Sequence, residues 1–413
     1  MSHGEFGIRY SNCTDFYDQS TILMVYNPVV VAPTSDTTMS MCSIAITTLT
    51  LVFLLRPSSA CSWKVVDIPR IHADDISVQD FWDGTISDSP VIITGLAESW
   101  FRDTDFFHFL RDECASAAMP IMAKTENPKV WASLQGKGTM RMDNFIDYVL
   151  DESHKFDVHE KLYGFDLQIS QECPVLLEQF KIPRFFNECV LQNEHVKGHF
   201  QKVRNNPAVF AWPTLMLGPE GSTSALHLDS QGFPFWMMLL EGRKHWRVLP
   251  YKANYHLTGA HPTREYHPPP YGYEFRGIIM EDYYGGGTFR FDGFDPDFKK
   301  YPKLCQAEVH EGILEKGEII YVPNSAPHGV VNLEHTVAVT ANFFNPLDRA
   351  HGEWMIKNCN APDAAKKGFT SDVCDYMIHR VTHRRDYNGP ETDLDFQTYM
   401  DEDYFAQDFD GEL

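Results

Sequence analysis

The sequence TLMLGPEGSTSALHLD, residues 214 to 229, carries two short apolar stretches, Thr214–Leu217 and Leu226–Leu228, around a polar turn containing Gly and Pro, and it closes on a His-x-Asp pair. Strand side chains alternate between faces, so His227 and Asp229 project to the same side and can both reach one ion. Downstream, Phe235–Leu240, Lys244–Leu249, Glu318–Val322, Val330–Leu333 and Val337–Phe343 read as further strands, broken by Gly, Pro, Asn and Asp. Many short strands separated by such turns argue for a sandwich or a barrel. A chain of 413 residues, 43% hydrophobic, is long enough for that core and flanking modules.

A lone His-x-Asp or His-x-Glu says little, because 18 histidines and 57 acids yield roughly two or three by chance. His3-Gly4-Glu5, His72-Ala73-Asp74 and His351-Gly352-Glu353 are such matches, and each reads as a surface or capping residue. His227 stands apart by its strand context and by His328, which follows the strand ending at Val322 and the turn Pro323-Asn324. Two imidazoles and one carboxylate on one side of a metal leave three positions open, the donor set of non-haem iron(II) oxygenases.

The Glu241-Gly242 turn between Leu240 and Arg243 reads as a hairpin. On its second strand Lys244 shares a face with Trp246 and Val248, and a lysine on an apolar face is costly without a partner. A bound carboxylate would supply one; otherwise the side chain snorkels at the strand end. In the last strand Thr336, Ala338, Thr340 and Asn342 share one face, which either lines a pocket or ties off backbone groups.

Upstream, Pro90–Thr94 reads as a strand, and helices are expected at Asp105–Arg111, Met142–Leu150 and Leu176–Phe186, the last interrupted at Pro183. Tyr251–Tyr301, rich in Pro, Gly and Tyr, reads as a long loop over a barrel mouth. Asp348–Arg380 is helical in composition, and Glu391–Leu413, with nine acids and no Lys or Arg, reads as a solvated tail. A formal charge of -22 disfavours nucleic acid as a partner and would attract a basic protein or peptide.

Nine cysteines without a C-x-x-C pair give no zinc or redox motif. The apolar run Ile44–Leu55 before Ser58-Ser59-Ala60 resembles the core and cleavage site of a signal peptide, and it is too short to span a bilayer comfortably. The competing reading is a buried element at the domain edge. Asp410-Gly411-Glu412-Leu413 is a relative of the K-D-E-L retrieval tetrapeptide. Together these two signals favour the endoplasmic reticulum lumen over the nucleus or cytoplasm. That compartment would permit a disulfide among Cys114, Cys173, Cys189, Cys305, Cys359 and Cys374.

The run Leu215–Asp229, then Glu241-Gly-Arg-Lys-His-Trp246, then Gly317-Glu-Ile-Ile-Tyr-Val-Pro323, and Pro327-His328 through Thr340-Ala-Asn342 resembles a jumonji-C (JmjC) domain. It is most similar to the lysyl hydroxylase and arginine demethylase subgroup, formerly the phosphatidylserine receptor, and Leu162–Asp166 and Ile182–Phe186 extend the likeness to roughly residues 90–346.

The resemblance implies a mainly β fold: a double-stranded β-helix of the cupin or jelly-roll type at 206–349, an α/β flank at 61–205 and C-terminal helices at 350–390. A leader at 1–38, a signal peptide at 39–60 and an acidic tail at 391–413 complete the division. It further implies an iron(II)- and 2-oxoglutarate-dependent oxygenase acting on a protein or peptide side chain, Lys or Arg. His227, Asp229 and His328 match the iron ligands. Lys244 and Thr340 match the residues that grip the distal carboxylate of 2-oxoglutarate, and Ser224 and Asn342 match further pocket positions. Met237 departs from the pattern, since the subgroup usually places an asparagine there, and Ser224 replaces a more usual threonine. A non-catalytic scaffold of the same fold, and a cupin holding another divalent metal, are the alternatives.

Overall fold

Strands β1 (Lys64–Asp67), β2 (Arg70–His72) and β3 (Val91–Thr94) open the chain around helix α1 (Val78–Trp82). Helix α2 (Phe106–Glu113), strands β4 (Ala118–Lys124) and β5 (Leu134–Arg141), helix α3 (Met142–Leu150), strand β6 (Leu162–Gln168) and helix α4 (Ile169–Glu172) complete the flank. The core runs through β7 (Thr214–Gly218), β8 (Thr223–His227), β9 (Phe235–Glu241), β10 (Arg243–Val248), β11 (Glu308–Glu315), β12 (Ile319–Val322), β13 (His328–Asn332) and β14 (Thr336–Asn342), and a short helix α5 (Phe396–Tyr399) follows.

This computed structural model describes residues 61–82, 86–101, 103–127, 130–151, 161–187, 189, 213–229, 233–250, 289, 291–324, 326–343, 345 and 391–399, with isolated positions between 356 and 382. The expected leader and signal peptide, His3, His351, and most of the 251–301 loop and of the 350–390 segment lie outside the described residues. Among the described residues no helix is long and apolar enough to cross a membrane.

The strands form two sheets, ordered β1-β11-β10-β13-β8 and β2-β3-β12-β9-β14-β7-β6-β4-β5. From β7 to β10, and again from β11 to β14, successive strands alternate between the sheets, which is the winding of a double-stranded β-helix. The Glu241-Gly242 turn is therefore an arch from one sheet to the other, and the expected hairpin is corrected: β9 lies between β12 and β14, β10 between β11 and β13. Gly242 has φ +78°, and a Cβ there would come within 2.0 Å of the His335 carbonyl oxygen, so the arch requires glycine.

Burial explains the sequence of β9, FWMMLLE, which is apolar at six consecutive positions because both faces of its sheet are covered. Phe235, Met237 and Leu239 pack between the sheets with Trp246, Val248, Leu314, Ile320 and Val330. Trp236, Met238 and Leu240 face outward into a second core with Phe81, Phe186, Tyr321 and the apolar side of α3. That side is Met142, Phe145, Ile146 and Val149, spaced at the helical period, and α3 has the expected bounds. The third expected helix is replaced by two 3₁₀ turns, Pro174–Glu178 and Arg184–Phe186. Proline at 174 and 183 lacks the amide that a continuous helix would need.

Cys61 bridges Cys305, Cys114 bridges Cys173 and Cys359 bridges Cys374, with Cα–Cα separations of 5.3, 5.4 and 5.5 Å. Cys61, which the expected set lacked, is thus bridged, whereas Cys189, which the set included, is a buried thiol outside the three bridges. The solvated-tail expectation also changes, because residues 391–399 pack on the domain. Ile182 and Leu394 exchange backbone hydrogen bonds of 2.7 and 3.0 Å. The Glu391 carboxylate accepts from the Val78 amide at the start of α1, and Asp393 accepts from the Arg184 amide at 2.9 Å. These acids satisfy amides that a helix start leaves without backbone partners. Leu394→Ala should cost about 2 kcal/mol in denaturant unfolding, the low end for a buried leucine; a solvated segment would show no change.

Candidate metal centre

His227 ends β8 and His328 begins β13, and the antiparallel register sets the two directly opposite each other. The two steps from His328 to Val330 face three steps from His227 to Ser224, so β8 carries an extra residue there, which re-aims His227 toward its partner while β13 keeps its alternation. Their rings lie 4.3 Å apart, and Asp229 follows two residues after His227. Asp229 Oδ1 is 3.5 Å from His227 Nε2 and 3.7 Å from His328 Nε2. One ligand atom from each residue lies within 4.8 Å of the others.

Each imidazole is oriented by its own strand. His227 Nδ1 donates to the Ala225 carbonyl at 2.6 Å and His328 Nδ1 to the Ala326 carbonyl at 3.0 Å. A carbonyl can only accept, so Nδ1 carries the hydrogen and the Nε2 lone pairs face the shared point. Burial, followed by the nearby His227, lowers the His328 pKa to about 4, which keeps the ring neutral and able to ligate. Burial pushes the Asp229 carboxylate upward, but His328, His227 and the Asn342 amide outweigh it, and the net shift is downward. Asn342 donates to Asp229 Oδ2 at 2.7 Å, leaving Oδ1 toward the histidines. Two imidazole Nε2 atoms and one carboxylate oxygen fit a divalent cation such as iron(II). A narrow cleft beside them is lined by Asp229, Phe233, Phe235, Val322, Pro323 and His328.

Lys244 lies deeper between the sheets and is fully buried, so it does not snorkel. Its ammonium donates to Asn332 Oδ1 at 2.7 Å and to Tyr163 Oη at 3.2 Å. Burial pushes its pKa down to about 7. Thr340 is buried, with its hydroxyl on the Trp236 carbonyl at 2.8 Å, and Met237 stands directly opposite it on β9. Ser224 is buried opposite Val330. His72, one of the chance matches, accepts from the Asp74 amide and caps a short 3₁₀ turn, as its capping reading anticipates.

Around the triad stand residues to which the sequence reading gave no role. Trp131 packs edge-on against His227 at 4.6 Å and against Phe165 at 5.6 Å. Asp166 accepts from the Thr214 hydroxyl at 2.8 Å; desolvation raises its pKa, the Thr214 bond lowers it and the charge of Asp229 raises it. Asn332 was findable, because period-two alternation from His328 through Val330 reaches it. Tyr163 carries no local signal beyond its place in Leu162–Asp166.

The sequence pattern of the cupin-like domain family matches residues 81–349. The bifunctional arginine demethylase and lysyl-hydroxylase psr-1 of Caenorhabditis elegans is 25% identical, over 77% of this chain and 69% of its own. The lysine-specific demethylase JMJ21 of Arabidopsis thaliana is 27% identical over 66% of this chain but only 25% of its own length. The 2-oxoglutarate and iron-dependent oxygenase JMJD4 of Gallus gallus is 27% identical over 33% of this chain and 28% of its own.

Removing the amide that orients a ligand typically weakens metal binding ten- to a hundredfold. Asn342→Ala should therefore raise the dissociation constant for manganese(II), measured by calorimetry, by at least about tenfold. An unchanged constant would show that Asp229 needs no such support.

Proposed function

We propose that this chain, which belongs to the cupin-like domain family and within it to the jumonji-C oxygenases, hydroxylates a lysyl or arginyl side chain of a protein, or demethylates it by way of hydroxylation. The observation that carries the reading is the convergence of His227 Nε2, His328 Nε2 and Asp229 Oδ1 on one point, with a buried, oxygen-bonded lysine deeper on the same sheet face. Iron(II) bound there with 2-oxoglutarate supplies the oxidising chemistry: dioxygen places one oxygen atom in the substrate C–H bond and the other in succinate, with loss of carbon dioxide. The chain contributes the remaining terms. The two Nδ1–H bonds and the Asn342 amide hold the ligand atoms in place, so that little reorganisation accompanies loading. The apolar wall of Phe233, Phe235 and Val322 keeps water from the cleft.

Lys244 is fitted to hold the distal carboxylate of 2-oxoglutarate, with Thr340 and Ser224 at nearby buried positions. With its pKa near 7 in the free pocket, part of the population is neutral at physiological pH. A bound carboxylate needs the ammonium form, so binding draws a proton back. Affinity for 2-oxoglutarate should be flat below pH 7 and fall about tenfold for each pH unit above it, until the bound-state pKa is passed. Calorimetry in manganese(II) buffers between pH 6 and 9 measures this, and a flat profile would show that the charge of Lys244 is not used. Lys244→Ala should raise the KM for 2-oxoglutarate about tenfold or more, the size of a lost charge-assisted hydrogen bond.

We also infer residence in the endoplasmic reticulum lumen. The apolar run Ile44–Leu55 with its following small residues motivates the reading, and three disulfides among the described residues support it, since bridges persist in oxidising compartments. N-terminal sequencing of protein from its native cells should begin near Cys61, and an intact Met1 on a cytosolic species would sink the assignment.

Anaerobic reconstitution with iron(II), followed by a succinate-release assay with pooled Lys- and Arg-containing peptides, tests the activity. Iron-dependent succinate is expected from the parent and none from His227→Ala, Asp229→Ala or His328→Ala, each of which removes one of three protein ligands. Parental rates in any of the three would overturn the assignment.

A further inference from the structure

Asp166 occupies a position that regular sheet geometry would not give it. The β6–β7 ladder runs from Gly164 opposite Leu217 to Leu167 opposite Leu215, so one strand carries an extra residue there. Asp166 sits in that irregularity at φ +67°, in the left-handed region that non-glycine residues rarely enter. Bulges re-aim side chains, and this one directs the Asp166 carboxylate to the Thr214 hydroxyl.

Thr214 locates that carboxylate within the barrel. It pairs directly with Thr340 on β14, which pairs with Met237 on β9, and directly opposed residues share a sheet face. Met237 belongs to the cluster packed between the sheets, so Thr214 and the Asp166 carboxylate it holds lie on the pocket side. Asn342, two residues beyond Thr340, reaches Asp229. Asp166 thus stands at the wall of the metal pocket, near the triad but outside it.

Two further facts define its partner. Asp166 keeps solvent-accessible surface although the protein packed round its carboxylate desolvates it, and among the described residues it has no cationic partner; its hydrogen bond is the one from Thr214. The site is thus flanked by a carboxylate, Asp166, whose electrostatics reach Asp229, and by a buried cation, Lys244. Trp131, packed between His227 and Phe165, adds an apolar ring beside the triad suited to a methylene chain.

We propose that Asp166 is a specificity-determining residue that accepts the ammonium of the substrate's lysyl side chain and so aligns its methylenes with the metal site. Oδ1 already accepts from Thr214, and among the described residues Oδ2 has no partner. That suits a compact ammonium better than a guanidinium, whose planar fork seeks two parallel oxygens. The inference rests on the oxygenase reading and narrows its substrate class from cationic residues in general to lysine.

The test is affinity selection on the full chain loaded with manganese(II) and 2-oxoglutarate, which measures recognition without turnover. The probes are random-flank heptapeptide pools with a central Lys, Arg or norleucine, quantified by mass spectrometry. The parent should retain the Lys pool about tenfold over norleucine, the scale a charge-assisted hydrogen bond supports, with Arg between them. Asp166→Asn should bring that ratio below about twofold, while Asp166→Glu should keep part of it. Should Asp166→Asn fail to fold, Thr214→Val removes only the hydroxyl that aims the carboxylate, and it should reduce the ratio about threefold. Equal retention of Lys and norleucine by the parent, a preference for Arg, or an undiminished Lys preference in both Asp166→Asn and Thr214→Val would each overturn the proposal. Succinate release by the parent together with any of those outcomes leaves the oxygenase reading standing. A lysine preference without iron-dependent succinate would refute the oxygenase reading and leave the recognition role in place.

Discussion

The site depends on one cross-strand pair. His227 at the end of β8 and His328 at the start of β13 come from distant parts of the sequence, and only their antiparallel register sets them opposite each other. A slip of one residue would move either ring to the outer face of the sheet, because side-chain direction reverses at every step. The apolar interior guards against that slip: Trp246, Val248 and Val330 are buried on the same face as Lys244 and His328, so any shift would expose them and bury charge. Core packing and ligand placement are thus the same constraint, and the two imidazole–carbonyl bonds complete it by fixing which nitrogen points inward.

The electrostatics follow from the same enclosure. Lys244 is buried at a cost that Asn332 and Tyr163 only partly offset, and its depressed pKa reports the remainder. A group held in such surroundings marks the place where an anion would be welcome. The amide beside Lys244 comes from Asn332 on β13, while Met237 offers only an apolar side chain opposite Thr340. On the outer face of β10 Arg243 pairs with Glu315, and His245 and Arg247 with Glu311, so alternation sorts one short sequence into a ligand-facing row and a sheet-pinning row.

The core strands from Thr214 to Asn342 were legible because period-two alternation and turn residues are strong there, with the exception of β11. Its sequence, EVHEGILE, places charged residues at partly buried positions that pair with the β10 cations, so its apolar signal is broken. The hairpin reading at Glu241-Gly242 failed for a related reason: a two-residue turn looks alike whether it joins neighbours in one sheet or arches between two, and only pairing partners decide. The acidic segment after Glu391 misled because composition predicts solvation, whereas two of its acids meet unsatisfied amides. At the site, the metal-facing residues were readable from spacing and family likeness. Asp166 and Trp131 were not, since a bulge and an edge-on ring contact leave no periodic trace.

The central claim is that His227, Asp229 and His328 hold one iron ion through Nε2, Oδ1 and Nε2. Anomalous diffraction at the iron edge from anaerobic crystals soaked with iron(II) and 2-oxoglutarate addresses it directly. The account predicts a single strong peak bounded by those three atoms, with the cosubstrate's far carboxylate against Lys244. A peak at other residues, ligation through Nδ1, or no peak at saturating iron(II) would contradict it.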